Sequence, residues 1–264
     1  MRTNAMKAAL AAGGWSAGAI VPVAAPALVE VLALAGFDHV LIDAEHGHIG
    51  VADCENLVRA AEAASITPLV RVPVNAPEQI LRYLDTGAQG VLVPQVTTRD
   101  DAERAVAAAR YHPRGRRGLA GTRAADYGLR GALGDYARRA NDELLVLALI
   151  EDARALDHLP EILAVDGLDA ISIGPADLSQ SLGHPGERDH PAVRDAIAAI
   201  IRQGVAAGKV VGMNAPTGLD ARRERERGVR LTSVGVFGLL AQGARAYLEQ
   251  SAISSQPSAV SDRA

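Results

Sequence analysis

The segment Leu41-Ile42-Asp43-Ala44-Glu45-His46-Gly47-His48 carries an apolar run directly into two carboxylates and two imidazoles. Acids can hold a cation and a histidine titrates near neutrality, so this strand end is a place for chemistry. Similar ends follow downstream. Thr67 to Val72 delivers Arg71, Leu144 to Ile150 runs straight into Glu151, and Ile171-Ser172-Ile173 is followed by Gly174-Pro175-Ala176-Asp177. Acids left unpaired beside apolar strands are costly, and a divalent cation relieves the cost. Glu151 and Asp177, with positions left for water and substrate oxygens, suit Mg2+ or Mn2+. The competing arrangement pairs Glu151 with Arg71 and makes Asp177 a cap for a short helix beginning near Leu178. Arg71 can stabilise an oxyanion or hold a carboxylate. His46 can move a proton to or from a hydroxyl if an acid such as Asp85, in Leu84-Asp85-Thr86-Gly87-Ala88, orients its ring.

Short apolar runs at 18–23, 38–43, 67–72, 90–94, 144–150, 168–173, 209–213 and 230–236 read as strands. Segments of helical period lie between them near 26–36, 51–64, 76–86, 98–110, 154–164, 190–207, 217–227 and 239–250, several opened by Pro, Asp or Asn. Eight β/α units in one domain, residues 1–250, predict a (β/α)8 TIM barrel whose site lies at the C-terminal strand ends. The competing doubly wound sheet lacks its glycine-rich dinucleotide turn after the first strand. Residues 111–140, rich in Gly and with seven arginines, are too long for an ordinary connection and are expected to fold over the barrel mouth. The Ser-rich residues 251–264 read as a disordered tail.

Composition narrows the partners. The net charge is −4 and the only lysines are Lys7 and Lys209, so no polycationic surface for nucleic acid or anionic membrane exists. A small-molecule substrate is expected instead. The apolar stretch Ala17 to Phe37 is broken by Pro22, Pro26 and Glu30, which argues against a membrane span. Cys54 is the only cysteine, which excludes an internal disulfide framework and points to the cytoplasm. Lys7 falls in a leading helix and Lys209 at the wrong end of a strand, so imine catalysis is not expected. His46-Gly47-His48 would suit a zinc hydrolase barrel only with further histidines at the ends of strands five and six, where Glu151 and Gly174 stand. His48 is therefore read as a loop residue.

Asp43-Ala44-Glu45-His46-Gly47, Arg71-Val72-Pro73, Leu84-Asp85-Thr86-Gly87-Ala88-Gln89-Gly90, Ile150-Glu151 and Gly174-Pro175-Ala176-Asp177-Leu178-Ser179, taken in order, resemble the class II pyruvate aldolases. The likeness is to the 4-hydroxy-2-oxoheptanedioate and 2-dehydro-3-deoxyglucarate aldolases of the phosphoenolpyruvate/pyruvate barrel superfamily, from about Asn4 to Glu249. Tyr111 to Gly118, Arg123-Ala124 and Tyr127-Gly128 resemble that family's long loop. The resemblance implies reversible cleavage of a 4-hydroxy-2-oxo acid to pyruvate and an aldehyde through a metal-bound pyruvate enolate. It implies Mg2+, Mn2+ or Co2+ on Glu151 and Asp177, Arg71 on the enolate oxygen, and His46 with Asp85 as the proton-transfer dyad. Asp43, Gly174, Ala176 and Asp177 then contribute to substrate binding, with backbone amides at Ala176 and Asp177 receiving the pyruvate carboxylate. It also implies a homo-oligomer, with a hexamer favoured, whose sites lie near subunit contacts and whose C-terminal helices are exchanged. Two departures stand out: Leu149 replaces the family's usual Gln, and Ile20 its frequent Trp. The rival readings are a CoA-thioester lyase of the same superfamily and a barrel that binds a 2-oxo acid without catalysis.

Overall fold

The computed structural model describes residues 1–251. Of the expected tail, only Ser251 is among them, and the rest lies outside the described residues. The elements run α1 (Ala5–Ala11), β1 (Ser16–Val21), α2 (Pro26–Leu34), β2 (His39–Asp43), α3 (Val51–Ala63), β3 (Thr67–Arg71), α4 (Pro77–Leu84), β4 (Gly90–Val93) and α5 (Arg99–Ala109). They continue with α6 (Leu133–Glu143), β5 (Leu145–Ile150), α7 (Arg154–Asp157), α8 (Leu159–Leu163), β6 (Ala170–Ile173), α9 (Pro175–Ser181), α10 (Pro191–Ala206), β7 (Val210–Asn214), α11 (Gly218–Glu226), β8 (Leu231–Gly235) and α12 (Val236–Gln250). All eight strands are parallel and β8 pairs back onto β1, closing the (β/α)8 barrel.

Local chemistry sets the helix starts. Proline occupies a first position in α2, α4, α9 and α10, where its missing N–H has no helical partner to lose. Thr98 with Asp101 and Thr217 with Asp220 form reciprocal capping boxes at α5 and α11. The helix expected over 154–164 is instead α7 and α8, broken at His158. Pro160 can neither donate to the preceding turn nor accommodate its carbonyl.

Two cores result. Valines, isoleucines and alanines fill the layer between strands and helices, while Leu41, Leu69, Leu92, Leu147 and Leu231 fill the barrel interior. Helix α1 closes the N-terminal end of the barrel by adding Met6 and Leu10 to that interior. Lys7 donates to Leu144 O (2.8 Å) and Lys209 to Leu168 O (2.7 Å), so both lysines lie at this closed end.

Residues 111–140 differ from expectation in place. They contain a 3-10 segment, Arg123–Gly128, and the start of α6, and they pack against the N-terminal face. Arg117 bonds Asp85, and Arg123 bonds both Glu62 and Thr86 O. The reason is topological: the segment leaves the end of a helix, α5, and enters the start of a strand, β5, and both lie at the end opposite the mouth.

Candidate active site

Parallel strands turn their C-terminal ends to one face, and there a cavity of about 420 Å³ opens. Its lining includes Ile20, His46, Arg71, Leu149, Asp177 and Asn214. The chain places its charges on one side of it. Arg71, ending β3, faces Asp43, ending β2, in exact strand register. Its Nε donates to Asp43 Oδ1 (2.9 Å) and its Nη2 to Oδ2 (2.5 Å), a bidentate fork. Asp43 Oδ1 also accepts the amides of Glu45 (3.1 Å) and His46 (3.2 Å). The structure thus uses Asp43 to hold Arg71 and the β2 turn. Burial alone would raise the Asp43 carboxyl, but Arg71 and the turn amides outweigh it and hold it below the usual range.

Arg71 Nη1 reaches Glu45 Oε2 at 3.2 Å, a contact without hydrogen-bond geometry, and that oxygen is buried with no other partner. Burial raises the Glu45 carboxyl above its ordinary value, with Arg71 only partly offsetting it. Glu151 follows β5 and is buried. Its Oε1 accepts the Gln95 amide at 2.9 Å. Gln95 holds a left-handed φ of 56° to present that N–H, a conformation costing of order 1–3 kcal/mol in a non-glycine residue. Burial, then the neighbouring acids Glu45 and Asp177, push Glu151 up to about 7 against the Gln95 amide. Its Oε2 lies over Gly174: a Cβ there would come within 3.0 Å of that oxygen and 2.9 Å of Glu151 Cβ. Gly174 therefore leaves space for the carboxylate.

Asp177, in the first turn of α9, is exposed, and among the described residues no hydrogen bond or ion pair claims its carboxylate. The alternative pairing of Glu151 with Arg71 is not formed, since the fork goes to Asp43. Arg71 thus pairs with Asp43 and Glu45, and Glu151 and Asp177 lie within electrostatic reach of the same group, one guanidinium against four acids. That excess of negative charge, an orphaned Glu45 oxygen and a free Glu151 Oε2 fit an oxygen-preferring dication.

His46 lies at the mouth, its ring exposed. Asp85 does not join it within the chain. It ends α4 at the N-terminal face of the barrel, where Oδ1 accepts Arg117 Nη2 at 2.7 Å. His48 is exposed in the same turn as His46, its amide on Pro22 O. Ala176 is exposed at the start of α9 beside Asp177. Leu149 does face inward, its Cδ1 3.6 Å from the Gly174 Cβ position.

Sequence reasoning missed the other half of the mouth. Asn214, ending β7, pairs in register with Ser233 on β8, and both line the cavity. Asn214 Oδ1 is buried and without a partner. Beneath them His39, fully buried, contacts Ser16 Oγ through Nδ1 (2.8 Å) and Ser233 Oγ through Nε2 (3.2 Å). Gly18 makes room for the ring, since a Cβ there would lie 2.2 Å from Nε2. No local pattern signals this cluster, because strands one, two and eight meet only when the barrel closes.

The family described as HpcH/HpaI aldolase/citrate lyase matches residues 17–242. A 5-keto-4-deoxy-D-glucarate aldolase of Escherichia coli O139:H28 (strain E24377A / ETEC) is 39% identical over 237 residues, covering 88% of this chain and 90% of the relative. The crystal structure of an HpcH/HpaI aldolase/citrate lyase family protein from Burkholderia cenocepacia J2315 superposes with a TM-score of 0.89 at 37% identity, covering 94% of this chain and 99% of the other. The structure of the citrate synthase SbnG superposes with a TM-score of 0.84 at 34% identity, covering 93% and 96%. One scaffold therefore carries differently named reactions, and the site residues must discriminate between them.

Proposed function

The chain belongs to the HpcH/HpaI aldolase/citrate lyase family and is a metal-dependent aldolase, and from that premise we propose that it reversibly cleaves a 4-hydroxy-2-oxo acid to pyruvate and an aldehyde. The observation that carries this reading is that Asp177 lies close enough to raise the Glu151 carboxyl, that neither acid is ion-paired to an arginine among the described residues, and that Arg71 beside them is already oriented by Asp43. Glu151 and Asp177 would hold the dication, with Mg2+, Mn2+ and Co2+ the candidates. When bound it supplies Lewis acidity toward the carboxylate and keto oxygens of the 2-oxo acid.

Arg71 presents its guanidinium to the oxygen that becomes the enolate, and Asp43 keeps that group from rotating away. The first-turn amides of α9, at Ala176 and Asp177, receive the substrate carboxylate. His46 takes the C4 hydroxyl proton. The C4–O electrons then form the aldehyde carbonyl, the C3–C4 bond breaks, and its electron pair becomes the C2=C3 bond of the pyruvate enolate. Return of a proton to C3 completes pyruvate. The neutral wall of Asn214, Ser233 and Ile20 faces the departing aldehyde, and Asn214 Oδ1 offers an acceptor to a hydroxyl on it.

Asp85 supports His46 only across two copies of the chain, since one barrel holds them at opposite ends. A homo-oligomer, for which a hexamer remains our preferred size, accommodates this. The outward face of α12, with Leu240 70% and Tyr247 71% exposed, supports such association.

The test is exchange of the pyruvate methyl protons for deuterium by metal-stripped protein, before and after adding back Mg2+, Mn2+ or Co2+. Restored exchange supports the enolate chemistry, and its absence with every metal refutes it. Condensation of pyruvate with a panel of aldehydes then identifies the acceptor. Cleavage of a malyl-type CoA thioester in place of aldol products would favour the rival lyase.

A further inference from the structure

Outside the mouth, the loop joining α9 to α10 gathers His184, Glu187 and His190, whose ligand atoms all lie within 4.8 Å of one another. The arrangement follows from the backbone. His184-Pro185-Gly186-Glu187 is a turn closed by Glu187 N–H on His184 O (3.0 Å), with Gly186 at a φ of 80° that its neighbours could not adopt without strain. His190 N–H closes a second three-residue step on Glu187 O (3.0 Å). Successive steps of three place the three side chains on one edge.

Little competes for them. Among the described residues no ion pair claims Glu187, and Arg188 turns away toward Asn214 O (3.5 Å) and Glu224 (3.8 Å). The imidazoles of His184 and His190 stack with centroids 3.4 Å apart and planes 18° from parallel. Ring lone pairs lie in plane, so closing on one ion takes a tilt of one ring out of the stack. His190 Nδ1 also accepts a long bond from Ala192 N–H (3.3 Å), which an ion at that nitrogen would displace.

We propose that His184, Glu187 and His190 form a second metal site, separate from the carboxylates of the mouth, that takes a transition-metal dication of the Zn2+ type. Two imidazoles with one carboxylate select Zn2+, Co2+ or Ni2+ over Mg2+, and three protein ligands leave a position for water. The site would fasten a loop that already reaches the active site. Buried Ser179 donates to Ala176 O (2.6 Å), accepts Gly186 N–H (3.0 Å), and through its own carbonyl receives His184 N–H (2.8 Å). The clamp thus stands one serine away from the turn bearing Asp177.

The experiment titrates Zn2+, and Co2+ as the coloured probe, into chelator-stripped full-length protein carrying Glu151→Gln and Asp177→Asn, which silence the mouth. One equivalent per chain, unmoved by excess Mg2+ and accompanied by a Co2+ visible spectrum, is expected. Adding His184→Ala or, separately, His190→Gln should weaken it by more than the roughly 10–100-fold that loss of a mere supporting contact costs. Circular dichroism of each metal-free variant checks that the fold persists. Binding unchanged by both histidine substitutions, or no Zn2+ bound by the folded parent, overturns the proposal. Either result leaves the aldolase reading standing, because deuterium exchange in the unaltered protein tests that independently.

Discussion

Lowering the pH from 7 to 5 should destabilise the barrel through one residue, His39. Its ring is fully buried between Ser16 and Ser233, and burial pushes its pKa from 6.5 down to about 3. The folded chain therefore keeps the ring neutral where the unfolded chain protonates it. Unfolding takes up a proton, so stability is full above 6.5 and falls as the pH drops from there toward 3. Those two values give a loss of about 2 kcal/mol between pH 7 and pH 5. Glu151 acts in the opposite sense. Its carboxyl is raised from 4.5 to about 7, so the folded metal-free chain binds a proton that the unfolded chain releases, and stability is gained as the pH falls through 7 toward 4.5. The unaltered protein can thus look insensitive to pH while two contributions oppose one another. Urea-unfolding midpoints at pH 7 and pH 5 should be compared on a metal-free Glu151→Gln background, with and without His39→Gln. The background should lose about 2 kcal/mol on acidification, and the double variant should lose much less of it. Parallel losses in both, or a His39 ring that titrates near 6.5 by NMR in the folded protein, would refute the reasoning.

At the mouth itself, the proton on Glu151 competes with the metal, so Mg2+ affinity should fall by up to about tenfold per pH unit below 7 and level off above it. Calorimetry at pH 6 and pH 8 giving equal affinity would contradict this. Gly174→Ala drives a methyl against Glu151, and should abolish metal-dependent turnover while circular dichroism stays unchanged; a fully active variant would mean that the carboxylate has room to spare. Arg71→Lys cannot reproduce the fork on Asp43, and a drop in kcat of roughly 10²–10³ is expected, with activity near that of the parent counting against an oxyanion role. His46→Ala should slow cleavage by roughly 10²–10⁴ while pyruvate still binds. If Asp85 orients His46 in a neighbouring copy, mixing unfolded His46→Ala and Asp85→Asn chains and refolding them together should recover part of the activity that neither shows alone.

The barrel was legible because its two periodicities alternate so regularly: runs such as Leu145–Ile150 are buried on both faces and stay apolar throughout, whereas α3 and α5 bury only one stripe. Strand ends moved by only a few residues, as at β1 and β6, since hydrogen bonding and hydrophobicity stop at different residues. What composition could not convey was which end of the barrel a connection occupies. Residues 111–140 looked like a cover for the site because they are long and rich in arginine. Arg114, Arg117 and Arg123 instead serve helix ends at the closed face, as Arg117 does for Asp85.

The same distinction separates what was readable in the site from what was not. Asp43 and Arg71 end apolar strands, Glu151 follows one directly and Asp177 stands one short turn beyond another, so eight parallel units suffice to bring them to one face. Asp85 follows a helix, and that same topology sends it to the other. Gln95 contributes a main-chain N–H, and its side chain type carries no sign of it. Asn214 and Ser233 are ordinary polar residues until closure sets β7 beside β8 and leaves one amide oxygen without a partner. The acids and the arginine therefore set which chemistry is possible, at positions a sequence exposes. The neutral groups Asn214 and Ser233 acquire meaning only from the neighbours that barrel closure gives them.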